Sequence, residues 1–144
     1  MTAHPSLLYL VKQLELAVRA RLDEVVREDG ITALQYTALT VLERHDGLSA
    51  AQLARDSFVT AQTMADMVRN LETRGLIDRE RNAANRRELL IHLTPAGRAL
   101  LDRFAQPVRA LEKRMTAQLD PRQEADLRAA LVTTWQSLTS TTRP

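Results

Sequence analysis

Four side chains in the middle of the chain, Gln62, Asp66, Arg69 and Thr73, recur at spacings of three and four residues. A helix through them, turning 100° per residue, would carry all four on the face opposite Met64 and Leu71. An amide, a carboxylate, a guanidinium and a hydroxyl on one helix face have the chemistry to read base edges in a DNA major groove. Gln62 can pair bidentately with adenine, and Arg69 can donate to guanine or to phosphate. Thr60 and Thr63, near the helix start, can reach phosphate, while Ala61 and Ala65 allow close approach and contact with a thymine methyl group. Asp66 would be repelled by phosphate unless it accepts from cytosine or pairs with Arg69 at i+3, in which case it orients that arginine.

A second group lies a short way downstream. Between residues 74 and 87 stand five arginines, Arg74, Arg79, Arg81, Arg86 and Arg87, against Asp78 and Glu80. The first fifty residues carry five basic and seven acidic side chains, so the surplus behind the net charge of +2 lies downstream. Asn85, Arg86 and Arg87 fall between two short Ile- and Leu-rich runs, at the expected tip of a hairpin. Paired arginines on a projecting ribbon suit the narrow minor groove, where the negative potential is enhanced. Either group alone is compatible with an ordinary solvated surface. A short helix to 55, a tight turn and a longer helix to 73 make the helix-turn-helix arrangement, and a basic hairpin directly behind it favours DNA.

Other chemistry finds little support. His4, His45 and His92 are far apart and share no ligand spacing, so no metal site and no cofactor is expected. There is no glycine-rich phosphate loop and no nucleophile elbow, and the carboxylates are scattered, so an enzyme is not expected. The absence of cysteine excludes disulfides and thiol-based redox sensing. Tyr36 and Trp135 read as core residues. No apolar stretch reaches the roughly 20 residues of a membrane span. A cytoplasmic location without a membrane partner is expected.

The 144 residues suffice for one cooperative unit, and five prolines, four glycines and 3% aromatics point to a mainly α fold with a small β-hairpin. A first helix over 6–28 places Leu7, Val11, Leu14, Val18, Leu22 and Val25 on one face, with Leu8, Leu10, Leu16 and Val26 outside that stripe. So much apolar surface suggests a partner chain. Gly30 ends this helix, and Thr32 with Gln35 has the form of a capping box for a second helix to 43. Ser49 with Gln52 repeats the pattern for a short helix to 55, Asp56, Ser57 and Phe58 make the next turn, and Thr60 caps a fourth helix to 73. The strands follow at 76–81 and 88–93. Thr94 and Pro95 start a helix to 119, and Asp120, Pro121 and Gln123 start a last helix to 138, leaving 139–144 as a frayed tail.

The strings Leu71-Glu72, Arg74-Gly75-Leu76-Ile77, Arg79, Arg86-Arg87 and Leu93-Thr94-Pro95-Ala96-Gly97, in this order and spacing, resemble the MarR (multiple-antibiotic-resistance regulator) family of bacterial transcription factors. The resemblance implies a homodimer with an intertwined helical dimerisation region (1–29 and 95–144) and a winged helix-turn-helix (30–94) that binds a pseudo-palindromic operator in double-stranded DNA. It implies a repressor released by a small aromatic acid or phenolic effector in a cleft between the two regions, with Arg19 and Tyr36 as candidate ligand contacts. Where the family usually has an aspartate that steadies the inserted arginine, this chain has Asn85. The alternative is a winged-helix module used for protein contact, without DNA or effector binding.

Overall fold

The structure, a computed structural model, describes residues 3–140. In chain order these form α1 (Leu7–Val26), a 3-10 turn (Arg27–Asp29), α2 (Ala33–Arg44), α3 (Ala50–Asp56), α4 (Ala61–Thr73), β1 (Ile77–Arg81), β2 (Leu89–Leu93), α5 (Pro95–Met115) and α6 (Pro121–Thr139). The chain divides into two compact units, Met1–Val108 and Arg109–Pro144. No helix among the described residues is long and apolar enough to cross a membrane.

Each helix start follows from a side chain that satisfies an otherwise free backbone N–H. Ser6, Thr32, Ser49, Thr60 and Asp120 each accept from the backbone N–H three residues on. Thr32 with Gln35 and Asp120 with Gln123 are reciprocal boxes. Ser49 caps without the reciprocal half of the box, because Gln52 Oε1 accepts from Arg55 at 2.6 Å instead of from the Ser49 N–H, and the Gln52 amide donates to Asp56 Oδ1 at 2.9 Å. Thr94 Oγ1 accepts from Gly97 at 3.1 Å and opens α5.

Apolar residues of α2, α3, α4, the hairpin and the first half of α5 fill one core. Leu39, Leu42, Leu53, Met64, Leu71, Ile77 and Ile91 are fully buried there, together with Leu100, Leu101 and Phe104. Burying one such side chain stabilises the fold by roughly 1.5–3 kcal/mol. Gly97 sits where α5 crosses the base of the hairpin. A Cβ there would lie 2.3 Å from the Leu76 carbonyl oxygen and 2.7 Å from Leu93 Cδ1.

The strands pair antiparallel, Ile77 opposite Leu93 and Arg81 opposite Leu89. A one-residue bridge from Leu48 to Ile91 ties the hairpin to the turn between α2 and α3.

Several boundaries differ from the sequence-based expectation, most of them by one residue. The helix expected to end at 119 stops at Met115, and residues 116–118 turn. The first helix gives way to the 3-10 turn at Arg27, and α6 runs through Thr139 with Ser140 as its cap. Of the tail expected at 139–144, residues 141–144 lie outside the described residues.

Along α1 the expected apolar stripe divides. Val26 is buried and Val18, Leu22 and Val25 are partly covered, whereas Leu7, Leu8, Leu10, Val11, Leu14 and Leu16 are exposed. In the second unit, α6 likewise exposes Leu131, Val132, Trp135 and Leu138. Trp135, expected in the core, is 56% exposed.

Candidate nucleic-acid interface

Helix α4 follows α3 across a four-residue turn and packs against it. Its inner side chains Met64, Met67, Val68 and Leu71 are buried, which fixes the rotation of the helix about its axis. Gln62, Asp66, Arg69 and Thr73 are all exposed as a result, as are Ala61 and Ala65. Thr60 Oγ1 caps the helix by accepting from Thr63 N at 3.1 Å, and the two hydroxyls lie 3.0 Å apart. The first turn of α4 therefore offers hydroxyls, an amide and small side chains at a helix N-terminus, a position that suits an anion.

Asp66 and Arg69 form an ion pair on this face. The carboxylate that looked out of place near phosphate thus has a partner, and it holds the guanidinium along the helix surface. Thr73 Oγ1 donates to the Arg69 carbonyl at 2.9 Å, so this hydroxyl is engaged by its own helix.

The five arginines of the basic segment divide by what they bond. Arg74 donates to the carbonyl of Gly30, at 2.8 Å, and to that of Asp29. Arg79 holds Glu72 through two hydrogen bonds of 2.9 and 2.8 Å. That pairing keeps the Glu72 carboxyl below its ordinary range and raises the Arg79 guanidinium. Arg81 donates to the Arg86 carbonyl at 2.9 Å and braces the hairpin tip. Arg86 and Arg87 are exposed, and among the described residues neither forms an ion pair.

Asn85 steadies the tip through the main chain. Its side-chain oxygen accepts from the backbone N–H of Arg87 at 3.2 Å, while Asn82 Oδ1 does the same for Ala84 at 3.0 Å. Two such side-chain turns in succession set the backbone of the tip. The Asn85 contact fixes the main chain of Arg87, not its guanidinium.

The base of the hairpin is held by Asp46, which accepts from Leu93 N at 2.9 Å and meets His92 Nδ1 at 3.0 Å. Burial raises the Asp46 carboxyl, but the Leu93 N–H and His92 outweigh it and the net shift is downward. His92 is shifted upward, chiefly by its bond to Asp46 and further by the charges of Glu80 and Asp78.

Arg19 and Tyr36, the candidate ligand contacts, have separate partners. Arg19 pairs with Glu15 one turn earlier on α1. Tyr36 is half-buried with its ring 6.0 Å edge-on to Phe104, and burial, then Glu43, raises its phenol. Two clefts stand out, one lined by Asp23, Arg27, Gly30, Ile31 and Thr32, the other by α5 and α6 residues including Met115, Leu127, Leu131 and Val132. Neither includes Arg19 or Tyr36.

A short helix, a turn, a second helix with a polar outer face and a basic two-stranded wing define a winged helix-turn-helix protein. Residues 29–88 match the family model described as the MarR family. The HTH-type transcriptional repressor Rv2887 of Mycobacterium tuberculosis is 32% identical over 123 residues, which cover 85% of this chain and 88% of that protein. Among solved structures, the S. aureus MepR–DNA complex superposes with a TM-score of 0.82 at 26% identity, covering 93% of this chain and 99% of that one. Rv2887 in complex with p-aminosalicylic acid gives 0.75 at 31% identity, over 90% and 98%. The chain belongs to the MarR family of transcriptional regulators.

Proposed function

We propose that this chain is a homodimeric repressor that binds a pseudo-palindromic site in double-stranded DNA and is released by a small aromatic acid. The observation that carries the DNA reading is the pairing of two exposed groups: the outer face of α4 with Gln62 and Arg69, and the wing tip with Arg86 and Arg87, which form no ion pair among the described residues. In this reading residues 30–94 bind DNA, and 1–29 with 95–144 form the dimer. Gln62 and Arg69 meet base edges, Thr60 and Thr63 meet phosphate, Asp66 orients Arg69, and Arg87 or Arg86, on the backbone set by Asn85, enters the minor groove. A relative crystallised with DNA supports the DNA reading, and the similarity to Rv2887, an HTH-type transcriptional repressor, supports the repressor reading.

The exposed apolar faces of α1 and α6 support a dimer, because burying them against a second copy removes them from water. Support for an aromatic effector comes from Rv2887, which has been crystallised with salicylic acid and with p-aminosalicylic acid. Arg19 could meet the carboxylate of such a ligand and Tyr36 its ring.

The test is a mobility-shift titration on the DNA upstream of the encoding gene and on an unrelated duplex, at two salt concentrations, with and without salicylate. Selective, salt-sensitive binding that salicylate weakens is the expected result. Selective binding that salicylate leaves unchanged would remove the effector and keep the DNA reading. Absence of salt-sensitive binding to either duplex would favour a protein-contact module.

A further inference from the structure

Among the described residues, Phe58 is the one non-glycine residue with a positive φ, 62°. It lies in the turn between α3 and α4. Ser57 caps α3, the Phe58 N–H donates to the Arg55 carbonyl at 3.3 Å, and the Val59 N–H donates to the Ala54 carbonyl at 3.1 Å. This pair of bonds closes a helix on a left-handed residue, a place that glycine usually fills because a side chain there is strained.

The neighbours fix the direction of the ring. Ser57 is buried and Val59 packs on the core, so the backbone turns Phe58 outward, and it is 79% exposed. The fold gains neither relaxed backbone nor burial from this side chain. Glycine at 58 would remove both the strain and the exposed ring. Strain held at an exposed position points to a role outside folding.

The position suggests that role. Thr60, two residues on, caps α4, and two residues span at most about 7 Å, so the Phe58 backbone lies close to the N-terminus of the helix that carries Gln62 and Thr63. The apolar surfaces that DNA offers at a groove edge are thymine methyl groups and deoxyribose carbons. Resting on the DNA-binding reading above, we propose that Phe58 is a DNA-contact residue. It lays its ring on this apolar edge beside the bases that α4 reads.

The experiment uses the full-length protein and a duplex that it selects from a random-sequence pool. Phe58→Gly relieves the strain, and Phe58→Asn keeps a side chain that tolerates the left-handed backbone. Both should bind the selected duplex about tenfold more weakly, the loss of one good apolar contact. The slope of log affinity against log salt should stay unchanged, because no charge is removed. The thermal midpoint of Phe58→Gly should rise. Replacing thymines of the duplex by deoxyuridine distinguishes the two sources. Weaker binding by the parent alone assigns the contact to a methyl group, and equal binding assigns it to deoxyribose.

Parent-like affinity in both variants would overturn the contact and leave the DNA-binding reading intact. Weaker binding with a lowered midpoint would also overturn it, because the ring would then be a folding residue. Failure of the parent to select any duplex would overturn both.

Discussion

Neutralising Arg86 and Arg87 together, as Arg86→Gln and Arg87→Gln, removes the two wing-tip charges that no carboxylate in the described structure engages. Each phosphate neutralised by a protein cation contributes about −0.9 to the slope of log affinity against log salt. A dimer presents two wings. If one arginine per wing meets the DNA backbone, the variant's slope should be shallower by about 1.8, and by about 3.6 if both do. Raising salt from about 50 to about 200 mM then costs the parent roughly 12-fold more affinity than the variant in the first case, and roughly 150-fold more in the second. Fluorescence anisotropy on a fixed duplex over four salt concentrations measures this directly. The control is Glu72→Gln with Arg79→Gln, which removes a bonded pair of opposite charges and leaves the net charge unchanged. Its slope should match the parent's. If the wing-tip variant also keeps the parental slope, the assignment of these arginines to DNA is refuted, whatever the affinity does.

Gly97→Ala should destabilise the fold by about 3 kcal/mol in denaturant titration, since its Cβ would meet the Leu76 carbonyl and the Leu93 side chain in a packed layer. Ser57→Ala should leave stability unchanged or raise it by about 1 kcal/mol, because the buried Ser57 hydroxyl has no hydrogen-bond partner among the described residues and the substitution removes that polar atom. His92 is shifted above its ordinary 6.5 chiefly by its bond to Asp46 and further by the charges of Asp46, Glu80 and Asp78, with burial opposing them, while Arg98 lies 4.0 Å from Asp46. Its contribution to stability is fully present below the unfolded value and is lost as pH rises through the raised folded value. Thermal midpoints of the parent should therefore fall from pH 6 upward through that value more than those of His92→Gln, and parallel curves would exclude the pair as a source of stability.

Local chemistry is what the sequence made legible. Thr32 with Gln35 and Asp120 with Gln123 were readable as caps because donor and acceptor lie three residues apart, and both boxes form. The exposed face of α4 was readable for the same reason, since Met64, Met67, Val68 and Leu71 set its rotation by period alone. Bonds between distant residues were not legible. Arg74 bonds carbonyls 44 and 45 residues away, and Asp46 holds a strand 47 residues on, so spacing could not separate bracing arginines from free ones. The end of α5 was misplaced because no glycine or proline marks Met115, and the stop signal at Asp120 and Pro121 belongs to the next helix. Phe58 passed as an ordinary turn residue. A bulky side chain just after a short helix, where glycine is the common choice, was the available signal.

The placement of these bonds separates a braced wing base from an open tip. At the base, Asp46 bonds Leu93, Leu48 pairs with Ile91, Thr94 Oγ1 donates to the Gly75 carbonyl at 2.6 Å, and Gly97 lets α5 lie against Leu76. Beyond Arg81 the bonds are local, running from Asn82, Asn85 and Arg81 to backbone within a few residues. The hairpin and α4 are thus braced through one core. Asn85, where the family resemblance leads to an expected aspartate, fits this arrangement. In the function proposed above, an aspartate at this position would compete with phosphate for the Arg87 guanidinium, whereas the neutral Asn85 amide bonds the main chain of Arg87 and would leave that charge to DNA. Asn85→Asp should then lower DNA affinity at low salt, where a carboxylate at the tip repels phosphate most, with the difference shrinking as salt rises. Tighter binding by the aspartate variant would mean that steadying the guanidinium outweighs the added negative charge.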